Sequence, residues 1–410
     1  MKYLMVEPNT PSIAYNIALM KLARWCEENA FEYKYVRGIV KPDIVPDIIY
    51  VSCIFSFYAG RYEKTINHYL KLFPKARIIV GGVFPSLNPE WFIRDGWSSK
   101  LFFGDGRVTT HRGVFPQIEK LVPKYDVEIK DEDETKSQRT IKRMLDKRKK
   151  IVLYSSRGCV NKCKYCAVPV IEGDMKSFTS IKEHLKIGKQ ELPNASSIVL
   201  YDNNFTEHKY FDNIIDDIIE SDLPVDIHGL HVSSFNEQQA KRFKQVKWAS
   251  QNENSGRPYL RFSFDKLKYE NDIEKALILC KEYDIKSEFF LYMLYNWHDG
   301  PNDFWYRMVK AQFLAVKHNK MINMFPQRYE PLDSLKKNKF IGKKWNQELL
   351  SGIGWILSWS RGFLTLTPSQ NLFRWYGFTK EDFFKKCYEL SKDKNIRYKK
   401  YDGPMKNIIL

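Results

Sequence analysis

Long apolar runs are missing from this 410-residue chain, and no stretch reaches the roughly 18 residues that a membrane span needs. The N-terminus meets Glu7 and Pro8 too early to form the apolar region of a signal peptide. We therefore expect a cytoplasmic protein with no membrane partner. The hydrophobic fraction of 43% is ordinary for globular proteins, which excludes general disorder and predicts two or three domains.

Cysteine is also scarce, because the chain has only seven. A disulfide framework is therefore excluded, and a cysteine cluster in a reducing compartment indicates metal binding or catalysis. Three cysteines do cluster, at positions 159, 163 and 166. The other four are predicted to be buried apolar residues, with hydrogen-atom donation by Cys280 or Cys387 as the functional alternative; they are Cys26, Cys53, Cys280 and Cys387.

Acidic residues are outnumbered, with 49 Asp and Glu against 66 Lys and Arg and a formal net charge of +17. Such a balance suits a polyanionic partner, since each neutralised phosphate releases counterions. The alternative is that the lysines are simply solvated. The excess is strongest in residues 331–410, which also contain Trp345, Trp355, Trp359 and Trp375. This part is interpreted as a basic, aromatic-rich C-terminal segment.

Apolar stretches with strand character alternate with helix-length segments over the first 115 residues. This alternation predicts a doubly wound parallel sheet, a Rossmann-like domain over residues 1–120. The predicted strands are 2–6, 31–36, 47–52, 77–80 and 101–103, and the clearest helices are 14–29 and 61–73. Residues 121–150 carry almost continuous charge and are predicted to be a linker.

A second alternating series fills residues 151–330. Its six strands, each followed by room for a helix, predict a partial (β/α)6 barrel whose chemistry lies at the carboxyl ends of the strands. The predicted strands are 151–155, 197–201, 225–228, 259–264, 289–294 and 322–325. The overall fold class is therefore α/β.

The first barrel strand runs directly into S-R-G-C-V-N-K-C-K-Y-C, a C-x3-C-x2-C spacing over Cys159, Cys163 and Cys166. Three thiolates on one loop can hold three corners of an iron–sulfur cube and leave the fourth iron open to an amine and a carboxylate. We expect Arg157, Lys162 and Lys164 to favour the thiolates. Zinc, the alternative, needs a fourth ligand, and His184 lies outside this loop in a segment of helical pattern.

This motif, placed after the first strand of a β/α barrel and with Tyr165 before its last cysteine, resembles the radical S-adenosylmethionine (SAM) superfamily. The resemblance implies a [4Fe–4S] cluster, SAM, and a reductant of flavodoxin or ferredoxin type. It also implies reductive cleavage of SAM to a 5′-deoxyadenosyl radical that takes hydrogen from the substrate. Tyr165 is expected beside the adenine.

The same resemblance implies further site residues at the ends of the later strands. The turn at Asp202, Asn203 and Asn204 is expected to receive the amino group of SAM, although such residues also build ordinary turns. Ser263 and Asp265 are expected at the ribose, and Tyr292 or Tyr295 along the cofactor pocket. On the substrate side, the expected catalytic residues are Arg328, Tyr329 and Glu330, for which a structural ion pair is the alternative.

The N-terminal domain resembles the cobalamin-binding-type Rossmann domain of one subgroup of the superfamily. The resemblance is carried by two glycine turns, with Gly81 and Gly82 in the first and Gly104 and Gly106 in the second. The Asp-x-His-x-x-Gly motif that supplies the cobalt ligand is absent, since Asp226–His228 lacks the glycine and lies in a barrel strand. Bound cobalamin and a bare scaffold both stay open.

The leading hypothesis is therefore a radical SAM enzyme that modifies a nucleotide or a nucleic-acid base. The excess of basic charge is the observation that favours this substrate. The alternative is a cobalamin-dependent radical methyltransferase that acts on a small molecule or peptide. A non-enzymatic iron–sulfur or zinc module for nucleic acid is the third hypothesis. The sequence names neither the substrate nor the oligomeric state.

Overall fold

The structure, a computed structural model, describes residues 1–10, 16–93, 97, 107–113, 115–131, 149–250, 257–360, 362–369 and 371–393. The chain divides into two compact units. The first comprises Met1–Asn203, Asp212–Val225 and Pro331–Lys337, and the second comprises Asn204–Phe211, Asp226–Glu330 and the described part of Asn338–Leu410. The division differs from the predicted domain limits, because residues 150–203 group with the N-terminal sheet.

A six-stranded sheet forms the centre of the first unit, and all its neighbouring strands are parallel. The strands are β1 (Lys2–Glu7), β2 (Glu32–Arg37), β3 (Ile48–Ser52), β4 (Arg77–Gly81), β5 (Val108–Thr110) and β6 (Ile129–Asp131). Their order is β5-β4-β3-β1-β2-β6. Strand β2 thus lies on one side of β1 and β3 on the other, which places the topological switch point between β1 and β3. This is the doubly wound topology expected from the sequence, and the α/β class is confirmed.

Burial on both faces explains the apolar runs of these strands. Leu4, Met5 and Val6 are all completely buried. The connecting helices are α1 (Ile17–Glu28), α2 (Ala59–Leu72) and α3 (Val83–Leu87). Asn16 caps α1 by accepting the Leu19 N–H, and its Nδ2 donates to Ser52 Oγ at the end of β3.

Part of the predicted linker belongs to this sheet instead. Residues 129–131 form β6, which pairs with β2, so the linker prediction is wrong there. The charged sequence led to the linker prediction, and an edge strand of only three residues is too short to show as an apolar run. Residues 132–148, and the strand predicted at 101–103, lie outside the described residues.

The first unit also contains the beginning of the second alternating series. Strand β7 (Lys150–Leu153) pairs in parallel with β10 (Ser197–Leu200). Between them lie the short antiparallel pair β8 (Ser156–Arg157) and β9 (Lys176–Ser177) and the helices α4 (Val168–Ile171) and α5 (Lys182–Glu191). Helix α6 (Phe211–Glu220) follows, and β11 (Val225–Ile227) begins with the last residue of the unit.

A four-stranded sheet organises the second unit, in the order β12-β13-β14-β15. Its strands are β12 (Tyr259–Ser263), β13 (Glu288–Tyr295), β14 (Ile322–Arg328) and β15 (Leu364–Leu366). The first three are parallel, whereas β15 is antiparallel to β14. All six strands predicted for the series are present, and β15 was not predicted. The helices are α7 (Glu237–Phe243), α8 (Glu270–Glu282), α9 (Pro301–Lys317), α10 (Gln347–Trp359), α11 (Asn371–Tyr376) and α12 (Lys380–Lys392).

Two of the C-terminal aromatic residues, Trp345 and Tyr376, are packed into the second unit. Trp345 is buried and donates its indole N–H to the Asp299 carbonyl, and Tyr376 is buried beside Phe383. Helices α10 and α12 approach so closely that a Cβ on Gly352 would collide with the Cys387 carbonyl. From residue 338 onward, the described part of this segment therefore contributes to the core of the second unit. None of the helices that the structure describes is long and apolar enough to cross a bilayer.

Candidate active site

Cys159, Cys163 and Cys166 lie on the loop between β8 and α4, and all three are half-buried, whereas the other four cysteines are buried. The loop begins with Gly158 at φ +76°, a conformation that favours glycine. A Cβ at this position would also collide with the Asp174 carbonyl. The glycine before Cys159 therefore allows the chain to close tightly on itself at this loop.

Backbone hydrogen bonds hold the cysteines in place. Cys159 N–H donates to the Gly173 carbonyl at 3.3 Å, and Cys166 N–H donates to the Cys163 carbonyl at 3.0 Å. Asn161 N–H donates to Cys159 Sγ at 3.3 Å. Burial raises the pKa of the Cys166 thiol, and the neighbouring Cys163 adds to this effect. A backbone donor to sulfur is a contact that stabilises a metal-bound thiolate.

The donor set fits a three-cysteine iron–sulfur cluster. Each cysteine of such a cluster binds a different iron, so the sulfurs stand farther apart than around a single ion. Three partly exposed thiols, one receiving a backbone N–H, match the cluster.

Glu172, at the end of α4, joins the cysteine loop to the end of β10. Its Oε2 accepts the Gly158 N–H at 2.7 Å and Asn203 Nδ2 at 2.8 Å. Its Oε1 lies 3.1 Å from an Arg157 guanidinium nitrogen. Asn203 Nδ2 also donates to the Gly158 carbonyl at 3.3 Å. The sequence reading missed this carboxylate, which lies beyond the motif.

Arg157 continues this network into the N-terminal part of the unit. Its Nε lies 3.1 Å from Glu119 Oε1, and its guanidinium stacks 4.2 Å from the Tyr154 ring centroid. Lys21 of α1 lies 3.9 Å from the same Glu119 oxygen. Lys162 pairs with Asp174. The charges of Arg157 and Lys162, expected to favour thiolates, are thus paired with carboxylates.

Asp202, expected to receive the amino group of SAM, is buried and already fully engaged. Its Oδ1 accepts the Ser155 and Ser156 N–H groups, and its Oδ2 accepts both hydroxyls. Asn204 is also buried and accepts the Thr206 hydroxyl. These two positions do not suit a cofactor contact, and Asn203 is the member of the turn that faces the cysteine loop. Tyr165 is half-buried within that loop.

The sheet of the second unit has one face covered by helices, and we call the opposite face the inner face. Phe262 and Phe289 lie on the covered face, where Phe262 contacts Phe235. Ser263 and Tyr292 are register partners on the inner face and both are half-buried. Tyr295 lies on the covered face, buried against Phe304 and Trp345, because it follows Tyr292 by three residues in a strand.

Other predicted side chains in this unit stabilise the backbone. Asp265 accepts the Leu294 N–H at 2.7 Å. Arg328 donates to the Phe340 carbonyl at 2.7 Å and lies 3.6 Å from Glu330, which accepts the Phe340 N–H. Tyr329 is half-buried and contacts Phe340. These contacts fit the structural alternative for Arg328 and Glu330, and they make the catalytic role a weaker hypothesis.

A buried ion pair that the sequence reading missed lies in the second unit. Arg261 donates two hydrogen bonds to Asp226, and His228 Nε2 lies 3.4 Å from Asp226 Oδ2. Burial raises the Asp226 pKa, but His228 and Arg261 lower it below its usual range. The signal in the sequence was a charged residue at the centre of the apolar strand YLRFS.

Gly82 has a structural reason to be glycine. It adopts φ +109°, and a Cβ there would lie 2.5 Å from the Cys53 carbonyl oxygen. A Cβ on Gly81 would meet nothing within 4 Å. The backbone around Gly82 therefore explains the glycine without a bound corrin. Asp226 and His228 belong to the buried ion pair described above. Gly104 and Gly106 lie outside the part of the chain that is described.

The family model of the Radical SAM superfamily matches residues 153–303. A curated relative, the ribosomal protein uS12 methylthiotransferase RimO of Treponema denticola, is 26% identical over 172 residues. That match covers 37% of this chain and 36% of the relative. The chain thus matches about a third of the length of this relative.

Two solved structures of SuiB from Streptococcus suis are also similar. The structure with the precursor peptide SuiA has 14% identity and a TM-score of 0.34, covering 60% of this chain and 57% of that one. The structure with S-adenosylmethionine has 12% identity and a TM-score of 0.33, covering 55% and 50%. Similarity at this level carries no argument about the reaction.

Proposed function

Because residues 153–303 form a domain of the radical SAM superfamily, we propose that this protein is a radical SAM enzyme acting on a base of a nucleotide or nucleic acid. Cys159, Cys163 and Cys166 hold the [4Fe–4S] cluster in this proposal. The family implies that one electron from an external reductant, passed through this cluster, cleaves SAM into methionine and a 5′-deoxyadenosyl radical, which removes a hydrogen atom from the substrate.

The observation that carries the radical chemistry is the organised cysteine loop. Gly158 closes it, Glu172 fixes the backbone before Cys159, and Asn203 lies beside it. The Asn203 amide donates through Nδ2 to Gly158 and Glu172, which directs its carbonyl oxygen away from these two acceptors. An amide oxygen in that orientation suits the ammonium group of SAM.

The choice of a nucleic-acid base is supported by charge. The formal net charge of +17 favours a polyanionic substrate. Trp345 and Tyr376 are buried and are therefore not available to stack on a base. A base must be single-stranded or flipped from its duplex to reach an enclosed radical site. We therefore propose single-stranded nucleic acid, or the free nucleotide, as the substrate class.

Anaerobic turnover of the reconstituted full chain tests this function. With reductant and SAM we expect 5′-deoxyadenosine by mass spectrometry, and with single-stranded RNA or DNA we expect a mass change in one nucleoside after digestion. The Cys163→Ala variant serves as the control without radical formation. Absence of 5′-deoxyadenosine from the wild type would refute the radical chemistry, whereas its presence without any altered nucleoside would refute the substrate class.

A further inference from the structure

Two phenylalanines are exposed just after β3, in the first unit. Phe55 and Phe57 are 44% and 40% exposed. Their ring centroids lie 5.2 Å apart with an interplanar angle of 19°, and Tyr58 packs edge-on against Phe57 at 4.6 Å. The Tyr62 hydroxyl accepts the N–H groups of Ile54 and Phe55, which fixes this backbone. The rings are therefore presented to solvent on an ordered loop.

A basic segment lies against the same loop. Ser56 Oγ donates to the Ser334 carbonyl at 2.6 Å, and Lys337 Nζ lies 5.1 Å from the Phe57 ring centroid. Lys336 is exposed beside it, and Leu335 is 44% exposed. Aromatic faces and ammonium groups thus form one surface, which we call the aromatic platform: Phe55, Phe57, Lys336 and Lys337.

We propose that the aromatic platform binds single-stranded nucleic acid, with a base stacked on the Phe55–Phe57 pair and phosphates at the two lysines. This inference rests on the proposed function and names the surface by which the substrate is held. Sequence-tolerant binding of single strands combines aromatic stacking with a basic surface, as here. An acidic or purely apolar partner would use only half of these side chains.

The platform is continuous with the cysteine loop through packed helices of the first unit. Phe84 N–H, in α3, donates to the Cys53 carbonyl just before the exposed loop. Helix α3 also contacts α4, which begins two residues after Cys166. Helix α3 therefore links the chain just before the platform to the helix that follows the cysteines.

Fluorescence anisotropy with labelled 15-mers of thymidine or uridine tests the platform. We expect the Phe55→Ala/Phe57→Ala variant of the full chain to raise the Kd roughly 10- to 100-fold. Lys337→Ala should lower the slope of log Kd against log salt by about one. Tyr306→Ala, which removes a 46% exposed aromatic from α9, is the matched control and should bind as the wild type does.

The outcomes separate the platform from the enzyme. Wild-type binding that the double variant retains would overturn the platform while leaving the proposed substrate intact. A second contrary result is that polyglutamate displaces the oligonucleotide equally from the wild type and from the double variant. That result would show that charge alone holds the oligonucleotide, and it would also overturn the platform. No wild-type binding would overturn the platform and exclude single-stranded nucleic acid, leaving the free nucleotide as the proposed substrate. The iron and sulfide content of the double variant checks that the protein is folded.

An independent observation concerns Glu172. One carboxylate oxygen accepts from both the Gly158 backbone and the Asn203 amide, and the other pairs with Arg157. We infer that Glu172 is a positioning residue that orients Asn203 and the cluster loop toward SAM. It acts through Asn203 and the backbone before Cys159.

Variants at Glu172 separate orientation from stability. Glu172→Gln keeps an oxygen that can accept from Gly158 and Asn203, whereas Glu172→Ala removes it. Glu191 is a matched control, because it is similarly buried and pairs with Arg24 and the Tyr125 N–H away from the cysteine loop. We expect Glu172→Ala to assemble the cluster but to weaken SAM binding at least tenfold, and Glu172→Gln to recover most of that loss.

SAM binding is read by the change that it causes in the EPR spectrum of the reduced cluster. Asn203→Ala should show the same loss as Glu172→Ala, and the double variant should lose little more, since both act through one contact. A Glu191→Ala variant should lower stability without changing the SAM titration. Normal SAM binding in Glu172→Ala, additive losses in the double variant, or a Glu172→Gln variant as impaired as Glu172→Ala would each overturn the inference.

Discussion

Asp202 accepts the backbone N–H of Ser155 at 2.7 Å, and it also accepts the hydroxyl of that serine. Both residues are buried, so these hydrogen bonds tie the end of β10 to the chain that enters the cysteine loop. Two adjacent residues of one turn therefore differ in role. Asp202 maintains the fold, while Asn203 faces the loop that carries the cysteines.

Asp202→Asn and Asn203→Ala should separate these two roles. The first replaces one acceptor oxygen with a donor facing buried N–H and O–H groups, and we expect a loss of roughly 1–3 kcal/mol in the free energy of unfolding. The second should change that free energy by less than about 1 kcal/mol but weaken SAM binding about tenfold. Urea unfolding and SAM titration provide the two measurements. A reversed pattern would contradict the assignment.

The cysteine loop predicts that Cys163→Ala will abolish cluster assembly and all 5′-deoxyadenosine. Two remaining thiolates cannot hold the cube in place of three. The control is Cys280→Ala, because Cys280 is buried on α8 and burial raises its thiol pKa to about 12. This control should bind iron and sulfide at wild-type levels. If Cys163→Ala retained both cluster assembly and 5′-deoxyadenosine formation, the cluster could not be assigned to this loop.

The buried pair of Asp226 and Arg261 predicts a large, asymmetric effect on stability. Arg261→Met leaves a buried carboxylate without its main partner and should cost about 3–5 kcal/mol in the free energy of unfolding. Replacing both residues, as Asp226→Leu with Arg261→Met, should recover much of this loss because no buried charge is left unpaired. Urea unfolding of the single and double variants checks the prediction, and additive losses would contradict it.

His184 predicts a loss of stability in weak acid. Burial lowers its pKa to about 4, and the charge of Lys21 adds to this shift. Below pH 6.5 the unfolded chain binds a proton that the folded protein does not, so stability falls as the pH drops from 6.5 toward 4. The loss should reach about 2 kcal/mol by pH 5.

Unfolding of His184→Leu at pH 6.5 and pH 5 measures this contribution. The ring of His184 lies 6.0 Å from that of Phe178, and its Nε2 is buried without a hydrogen-bond partner. Leucine keeps an apolar contact there but cannot titrate. The variant should therefore lose about 1.5 kcal/mol less than the wild type between these pH values. Equal losses in the two proteins would exclude His184 as the source.

Local patterns in the sequence predicted the elements well. Strands such as 48–52 and 197–200 are buried on both faces, and their apolar runs show this directly. The cysteine spacing was equally readable, because three ligands on one loop are a local property. The short edge strand at 129–131 was not predicted because two of its three residues are charged and only its pairing with β2 defines it.

Side-chain partnerships far apart in the chain could not be read in the same way. Nothing in the D-N-N turn distinguishes Asp202 from Asn203 until Ser155 and Glu172 are placed beside them. The burial of Trp345 and Tyr376 was not predicted because lysines dominate the composition there. The spacing of Phe383, Cys387 and Leu390, all buried on one side of α12, was the overlooked signal of a packed helix.

The antiparallel strand β15 has a consequence for the solubility of the protein. It pairs with β14 along Ile322–Met324 and so occupies backbone groups that would otherwise border the sheet. An unpaired edge of this kind recruits strands from other molecules and promotes aggregation. Strand β15 now forms this edge, and because it is only three residues long it is a poor template for a strand of another molecule.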